Sequence, residues 1–196
     1  MKNTNHSLFD KYEMIKDLGT GSSGSVTLVR HISMDQERAL KKVPKSSAFA
    51  ESALSEARLL KSLEHPSIPR IFDFEEDDAF YYIVEEYIDG ETLDSFLLHQ
   101  QLISPGLFFN ICEQLCNVFI YLHTQISTPI IYRDLKPEHI IVCHNKLKLI
   151  DFGVSAYVIQ DGNNFNHYGN IEFSAPECFT EDTITPAADI YSLGQL

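Results

Sequence analysis

The sequence predicts an α+β chain in two lobes, the first built of strands around a single helix and the second mainly of helices. Two observations carry this. Short segments rich in β-branched and aromatic residues, YEMIKDL, SVTLVRH, ERALKKV, PRIFDF and FYYIVEE, fill the first half between Gly, Ser, Asp and Pro breaks. From Thr92 onward the balance reverses, and long runs with helical spacing dominate. The boundary falls near EEYIDGET, and a cleft between two such lobes is the expected ligand site.

Each element has a local reason. In FAESALSEARLLKSLEHP the apolar residues Phe49, Ala53, Leu54, Ala57, Leu60 and Leu63 recur at helical spacing, and Pro66 bars continuation. SPGLFFNICEQLCNVFIYLHTQ opens with the capping residue Ser104 and a proline suited to the first helical position. Its face of Phe108, Ile111, Leu115, Val118 and Leu122 is expected to be buried. The runs IIVC and LKLI, joined by His144, Asn145 and Lys146, read as a short hairpin, and a last helix is expected to begin near Pro186.

The totals narrow the function classes. A chain of 196 residues with 44% hydrophobic composition can bury one core or two small ones. A net charge of −13 argues against nucleic acid and anionic membrane, which need clustered Lys and Arg, and favours basic partners. The opening MKNTNHSLFDKYEM has no signal-peptide core and no run is long enough to span a bilayer, so a cytoplasmic location is expected. Cys112, Cys116, Cys143 and Cys178 have no zinc-type spacing and read as small buried thiols.

Several motifs carry chemistry. LGTGSSGSV places Gly19, Gly21 and Gly24 between two strands, so they open no helix as a dinucleotide fold requires, and no Lys-Ser or Lys-Thr follows as in a P-loop. A glycine hairpin whose amides close over phosphates remains. Lys41 in RALKKV is an ion-pair candidate for Glu56 on the one helix of this lobe, while Lys42 reads as a solvated charge. YRDLKP supplies Asp134 and Lys136, and LIDFG supplies Asp151. Phosphoryl transfer asks for such a set: a carboxylate for the hydroxyl, a lysine near the transferred group, and a carboxylate on Mg²⁺.

With EFSAPE and ADIYSLG following in order, the chain resembles the protein kinases, and Lys136, Tyr132 and EEYIDGETL resemble the bacterial-type serine/threonine branch. The resemblance implies a bilobal kinase-like fold, with a five-stranded antiparallel N-lobe over residues 12–86, an incomplete helical C-lobe over 87–196, and a tail over 1–11. It implies ATP as co-substrate, held by Leu18, Gly19, Gly21, Gly24, Val26, Ala39 and Ile141 around the base and phosphates, and by backbone groups of Glu86 and Ile88 at its edge. Lys41, with Glu56, would grip the phosphates, Asp134 would be the catalytic carboxylate with Lys136 beside it, and Asp151 would hold the metal. Glu85 would sit at the back of the pocket, where a carboxylate is unusual. Leu60, Tyr132, Phe152 and Asp189 would form an internal spine.

Three departures from the pattern stand out. His139 occupies the place of a metal-binding asparagine; imidazole suits softer ions than Mg²⁺, so a weakened second Mg²⁺ site and a preference for Mn²⁺ are expected. Asn170 replaces a threonine that would touch Asp134, and the hydroxyls between Gly153 and Ala175 are Ser155, Tyr157, Tyr168 and Ser174, although Arg133 keeps a docking charge for a phosphate. The chain stops at SLGQL, before the family's later helices and the partner expected for Glu177, and is read as a truncated or fragmentary member. The leading function is transfer of the ATP γ-phosphate to serine or threonine hydroxyls of proteins, basic ones preferred. The alternatives are a pseudokinase that binds nucleotide or scaffolds without turnover, and a small-molecule phosphotransferase, against which Ala-Pro-Glu argues.

Overall fold

A computed structural model of the chain describes residues 8–21, 24–100, 102–158, 170–180 and 184–196. Tyr168, most of the expected tail and the middle of the glycine hairpin lie outside the described residues. The chain divides into two compact units, Met1–Leu63 with Pro69–Tyr87, and Glu64–Ile68 with Ile88–Leu196.

The first unit runs α1 (Leu8–Lys11), β1 (Tyr12–Gly21), β2 (Gly24–His31), β3 (Gln36–Pro44), α2 (Ala50–Lys61), β4 (Ile71–Glu76) and β5 (Phe80–Glu86). The strands form one antiparallel sheet in the order β1-β2-β3-β5-β4. Because side chains alternate along a strand, the sheet has two apolar faces. One gathers Leu8, Tyr12, Val29, Leu40, Tyr82 and Val84; the other packs Val43 and Ile83 against Ala53 and Ala57 of α2.

Leu8–Lys11 extend that first face. Leu8 is fully buried and its N–H donates to the Glu75 carboxylate at 2.8 Å, while the Lys11 ammonium reaches Asp73 at 2.8 Å and Glu75 at 3.4 Å. The hydrogen bond to Asp73 raises the Lys11 pKa. On α2 the expected stripe is buried at Ala53, Ala57 and Leu60, with Leu59 added, but Phe49 is exposed because it stands at the cap, before the helix turns onto the sheet.

The second unit contains β6 (Glu91–Thr92), α3 (Leu93–His99), α4 (Pro105–Ile120), β7 (Ile130–Ile131), β8 (Ile140–Cys143), β9 (Lys146–Leu149), β10 (Ala156–Tyr157), α5 (Glu177–Thr180) and α6 (Ala187–Gln195). Two small sheets, β6-β8-β9 and β7-β10, sit among the helices. Ser104 caps α4 as expected, its hydroxyl accepting from the Leu107 N–H at 3.2 Å, with Pro105 at the first position. The β8–β9 turn has His144 and Asn145 both at φ 51°, the left-handed pair that a two-residue hairpin of the right twist requires.

The buried face of α4 is shorter than its spacing predicts. Leu115, Val118 and Phe119 are buried, with Leu122 in the π-helical turn that follows, but Phe108 is 53% exposed, since no residue of α4 before Leu115 is buried. Cys116 is exposed, one helical step off the stripe, and Cys112 and Cys143 are half-buried, so of the four thiols only Cys178 is enclosed. Among the described residues no helix is long and apolar enough to cross a membrane.

Two polar anchors hold the second unit. His65 stacks on Tyr121 at 5.1 Å and its Nδ1 accepts from the Ser67 N–H at 3.1 Å, while the Ser67 carbonyl accepts from Leu149. Burial, aided by the nearby Lys148 charge, lowers the His65 pKa. Asp189, fully buried on α6, accepts at 2.8 Å from the backbone N–H of both Tyr132 and Arg133, and lies 2.8 Å from His123 Nε2.

A histidine whose native pKa is lowered stays neutral in the fold while the unfolded chain protonates, so its contribution is present above about pH 6.5 and is lost as pH falls below it. His65→Phe is therefore expected to flatten the decline of melting temperature between pH 7 and pH 5, and an unchanged slope would count against this assignment. Asp189→Ala strands two buried amides and should lower stability by about 3–5 kcal/mol. A urea midpoint within experimental error of the parent would show that the carboxylate is not the anchor.

Candidate active site

The first unit contributes a lysine and a carboxylate that the fold brings together. Alternation in β3 turns Ala39, Lys41 and Val43 toward α2, and α2 in turn presents Glu56 beside its buried alanines. Lys41 Nζ lies 2.7 Å from Glu56 Oε2, with the two side chains only 18% and 8% exposed. A charge-assisted bond this enclosed fixes the ammonium in place.

Register places the other expected base- and phosphate-binding residues around this pair. Val26 is opposite Lys41, Leu28 opposite Ala39, and Gly19 opposite Val26, so Gly19, Val26, Ala39 and Lys41 share one face. Glu85, opposite Ala39, lies on that face too, half-buried. Leu18 stands in the irregularity between Asp17 and Gly19 and is 39% exposed. The Glu86 N–H donates to the Arg70 carbonyl at 2.9 Å.

The three glycines differ in kind. A Cβ on Gly24, whose φ is +143°, would fall 2.1 Å from the Lys42 carbonyl oxygen, so the close approach of β2 to β3 demands glycine there. Around Gly19 and Gly21 there is open space, and the chain's own packing does not require them to be glycine.

The second unit gathers Asp134, Lys136, His139 and Asp151. The Asp189 carboxylate holds the backbone just before Asp134, where Arg133 is turned to φ 75°. Asp134 is 5% exposed, and Lys136 Nζ lies 3.2 Å from its Oδ2. His139 closes the short 3-10 turn Pro137–His139; its Nδ1 donates to the Asp134 carbonyl at 3.0 Å and lies 3.4 Å from Asp134 Oδ2. A carbonyl can only accept, so Nδ1 carries hydrogen. The other ring nitrogen, Nε2, faces Asp151 Oδ2 at 3.4 Å.

Asp151 has φ 63°, accepts from the Gly153 N–H at 3.3 Å, and keeps a side chain 54% exposed. The next residue, Phe152, is buried edge-on against Tyr132 at 5.0 Å, and the Tyr132 hydroxyl donates to the Ile150 carbonyl. Within this unit Tyr132, Phe152 and Asp189 are therefore one connected core. Ile141, paired with Thr92 and Lys148, and Ile88 belong to the same unit.

Asn170 does not replace the expected threonine contact. Its side-chain oxygen accepts from the Glu172 N–H at 2.9 Å and its own N–H donates to Ser174 Oγ at 2.8 Å, so the residue closes its own turn. The sequence reading also missed His123. Its pairing with Asp189 joins residues 66 positions apart, and no local pattern announces it.

Comparison with known proteins agrees with this geometry. Residues 12–196 match the family described as the protein kinase domain. Serine/threonine-protein kinase PrkC of Bacillus subtilis is 31% identical over 193 residues, covering 94% of this chain and 29% of that protein. Serine/threonine-protein kinase ppk25 of Schizosaccharomyces pombe is 34% identical over 185 residues, covering 91% and 43%, and serine/threonine-protein kinase PknB of Mycobacterium tuberculosis is 28% identical over 200 residues, covering 95% and 32%. The chain thus spans less than half the length of these relatives. With glycines at the β1–β2 hairpin and a Lys41–Glu56 pair on one unit, and Asp134, Lys136 and Asp151 clustered on the other, the chain belongs to the protein kinase domain family.

Proposed function

We propose that this chain is the catalytic part of a serine/threonine protein kinase, transferring the γ-phosphate of ATP to protein hydroxyls. The carrying observation is the cluster of Asp134, Lys136 and Asp151 on one buried framework. The names of the relatives support the choice of serine and threonine. In this reading residues 12–86 form the nucleotide lobe and 87–196 the substrate lobe, with 1–11 preceding them.

Each residue then has a task. Asp134 orients the attacking hydroxyl and takes its proton as oxygen bonds to phosphorus and the bond to ADP breaks. Lys136, beside it, offsets the charge of the transferring group. Lys41, oriented by Glu56, holds the α- and β-phosphates. Gly19 and Gly21, which the chain's own packing leaves free, let backbone amides approach the phosphates, and Leu18, Val26, Ala39 and the Glu86 backbone are the first unit's contacts to the adenine in this reading, Ile88 and Ile141 of the second unit being assigned to it by the family resemblance alone.

Asp151 suits a divalent ion. Mg²⁺ is held by one or two carboxylates together with substrate phosphates, and Asp151 offers a half-exposed carboxylate of that kind. Among the described residues no three His, Cys, Asp or Glu side chains form a ready cage, so the ion would arrive with the nucleotide and neutralise phosphate charge. His139 is the poor fit for Mg²⁺, since its Nε2 beside Asp151 is a nitrogen donor better suited to Mn²⁺. The acidic surface favours basic protein substrates.

The test is transfer of labelled γ-phosphate to a basic protein in Mg²⁺ and in Mn²⁺. Asp134→Asn should lower the rate by a factor of about 10² or more, and Lys41→Met should abolish it, with melts confirming that both variants fold. Full activity in a folded Asp134→Asn protein would overturn the assignment. His139→Asn should raise the Mg²⁺ rate and lower the Mn²⁺-to-Mg²⁺ ratio, and an unchanged ratio would remove His139 from the metal site.

A further inference from the structure

Lys42 follows Lys41 directly, and alternation along β3 sends it to the opposite face of the sheet. There it lies in a row set by strand register. Thr20 is opposite Ser25, Ser25 opposite Lys42, and Lys42 opposite Tyr82. Thr20, Ser25 and Lys42 border an open pocket of about 430 Å³, which Pro44, Ser46, Ser47 and Phe80 also line. That volume is in the range of small-ligand sites.

The charge of this pocket is anomalous for the chain. The protein carries 28 acidic residues against 15 Lys and Arg, yet among the described residues no Asp or Glu lines it. In the same unit Lys11, Lys41 and Lys45 each pair with a carboxylate. Lys42 pairs with none among the described residues. Its ammonium is held instead over the Phe80 ring, 4.0 Å from the centroid, with Tyr82 at 5.8 Å. An aromatic face positions a cation without cancelling its charge, so the positive potential stays available to a ligand.

The hydroxyls complete the site. The side chains of Thr20, Ser25 and Ser46 make no hydrogen bond among the described residues, and the Ser47 hydroxyl accepts from the Phe49 N–H at 3.1 Å, leaving its own hydrogen to donate. Four hydroxyl-bearing residues and one lysine thus line one pocket. A carboxylate has two oxygens to offer them, whereas a phosphate monoester has three that are charged or strongly accepting.

We infer that this pocket binds a phosphate monoester, with the phosphate against Lys42 and the hydroxyls and the carbon stem against Phe80 and Pro44. The phosphate belongs either to a phosphorylated peptide side chain or to a free phosphorylated small molecule. Because Thr20 and Ser25 belong to the glycine hairpin while Ser46 and Ser47 belong to the β3–α2 connection, an occupant ties the two together from the face opposite Lys41.

The 196-residue chain would be titrated, without nucleotide, with glycerol phosphate, with a phosphoserine peptide of neutral flanks, and with the same peptide carrying glutamate. Saturable shifts of the backbone amide resonances of Thr20, Ser25, Lys42 and Ser47 are expected with both phosphate compounds. Lys42→Met should weaken them at least tenfold and Lys42→Arg should restore them. Ser46→Glu, at an exposed position on the rim, should weaken them also, which covers the case of a poorly folded Lys42→Met. Tighter binding of the phosphopeptide assigns the phosphate to a peptide, and equal binding assigns it to a small molecule. No saturable shift, equal binding of the glutamate peptide, or affinity unaffected by both Lys42→Met and Ser46→Glu overturns the inference. None of these readings depends on phosphoryl transfer, so the kinase reading stands or falls separately.

Discussion

The buried carboxylate of Asp189 is the constraint on which the second unit depends. Both of its oxygens are occupied by backbone N–H groups of Tyr132 and Arg133, and His123 completes its surroundings. In return it holds Arg133 in the left-handed region, a conformation costing about 1–3 kcal/mol for a residue with a side chain. That local strain sets the direction in which the chain emerges as Asp134. Tyr132, fixed by the same carboxylate, then supports Phe152, and Phe152 follows Asp151, which is also left-handed. One side chain on α6 therefore governs the aim of two carboxylates that lie far from it in sequence.

The same cluster shows how charge is managed without water. Asp134 is nearly enclosed, and Lys136 and the His139 ring both stand close to its Oδ2. His139 is thereby a structural part of the loop as well as a substitution in it. Its backbone N–H donates to Lys136 and its carbonyl accepts from Ile150, so the imidazole is held at both ends of its residue.

Much of this was legible from residue order. All five strands, the helix carrying Glu56, the Ser104–Pro105 helix start and the β8–β9 hairpin follow from alternation, capping and turn chemistry that act within a few residues. The Lys41–Glu56 pair was legible because both partners sit on elements with clear faces. Helical periodicity told which residues of α4 share a stripe but not where along the stripe a cover begins, which is why Phe108 and Cys116 were misjudged. The Asp189–His123 contact, the turn closed by Asn170 and the hydrogen-bonding of His139 depend on approaches between segments distant in sequence, and nothing local encodes them.

The adjacent lysines of β3 show what identical side chains leave unspecified. Lys41 lies in a buried ion pair and Lys42 over an aromatic ring on the other face, and only the pleat distinguishes them. A slip of β3 by one residue would present a lysine to Glu56 just as before, so the ion pair cannot by itself recognise the correct alignment. Discrimination falls to neighbours that are not interchangeable: Leu40 and Val43, each fitted to a different apolar cluster, and Gly24, since the Lys42 carbonyl leaves no room for a Cβ opposite it. In this strand the chemistry of the site is duplicated, and fidelity resides in the hydrocarbon and in a missing methyl group.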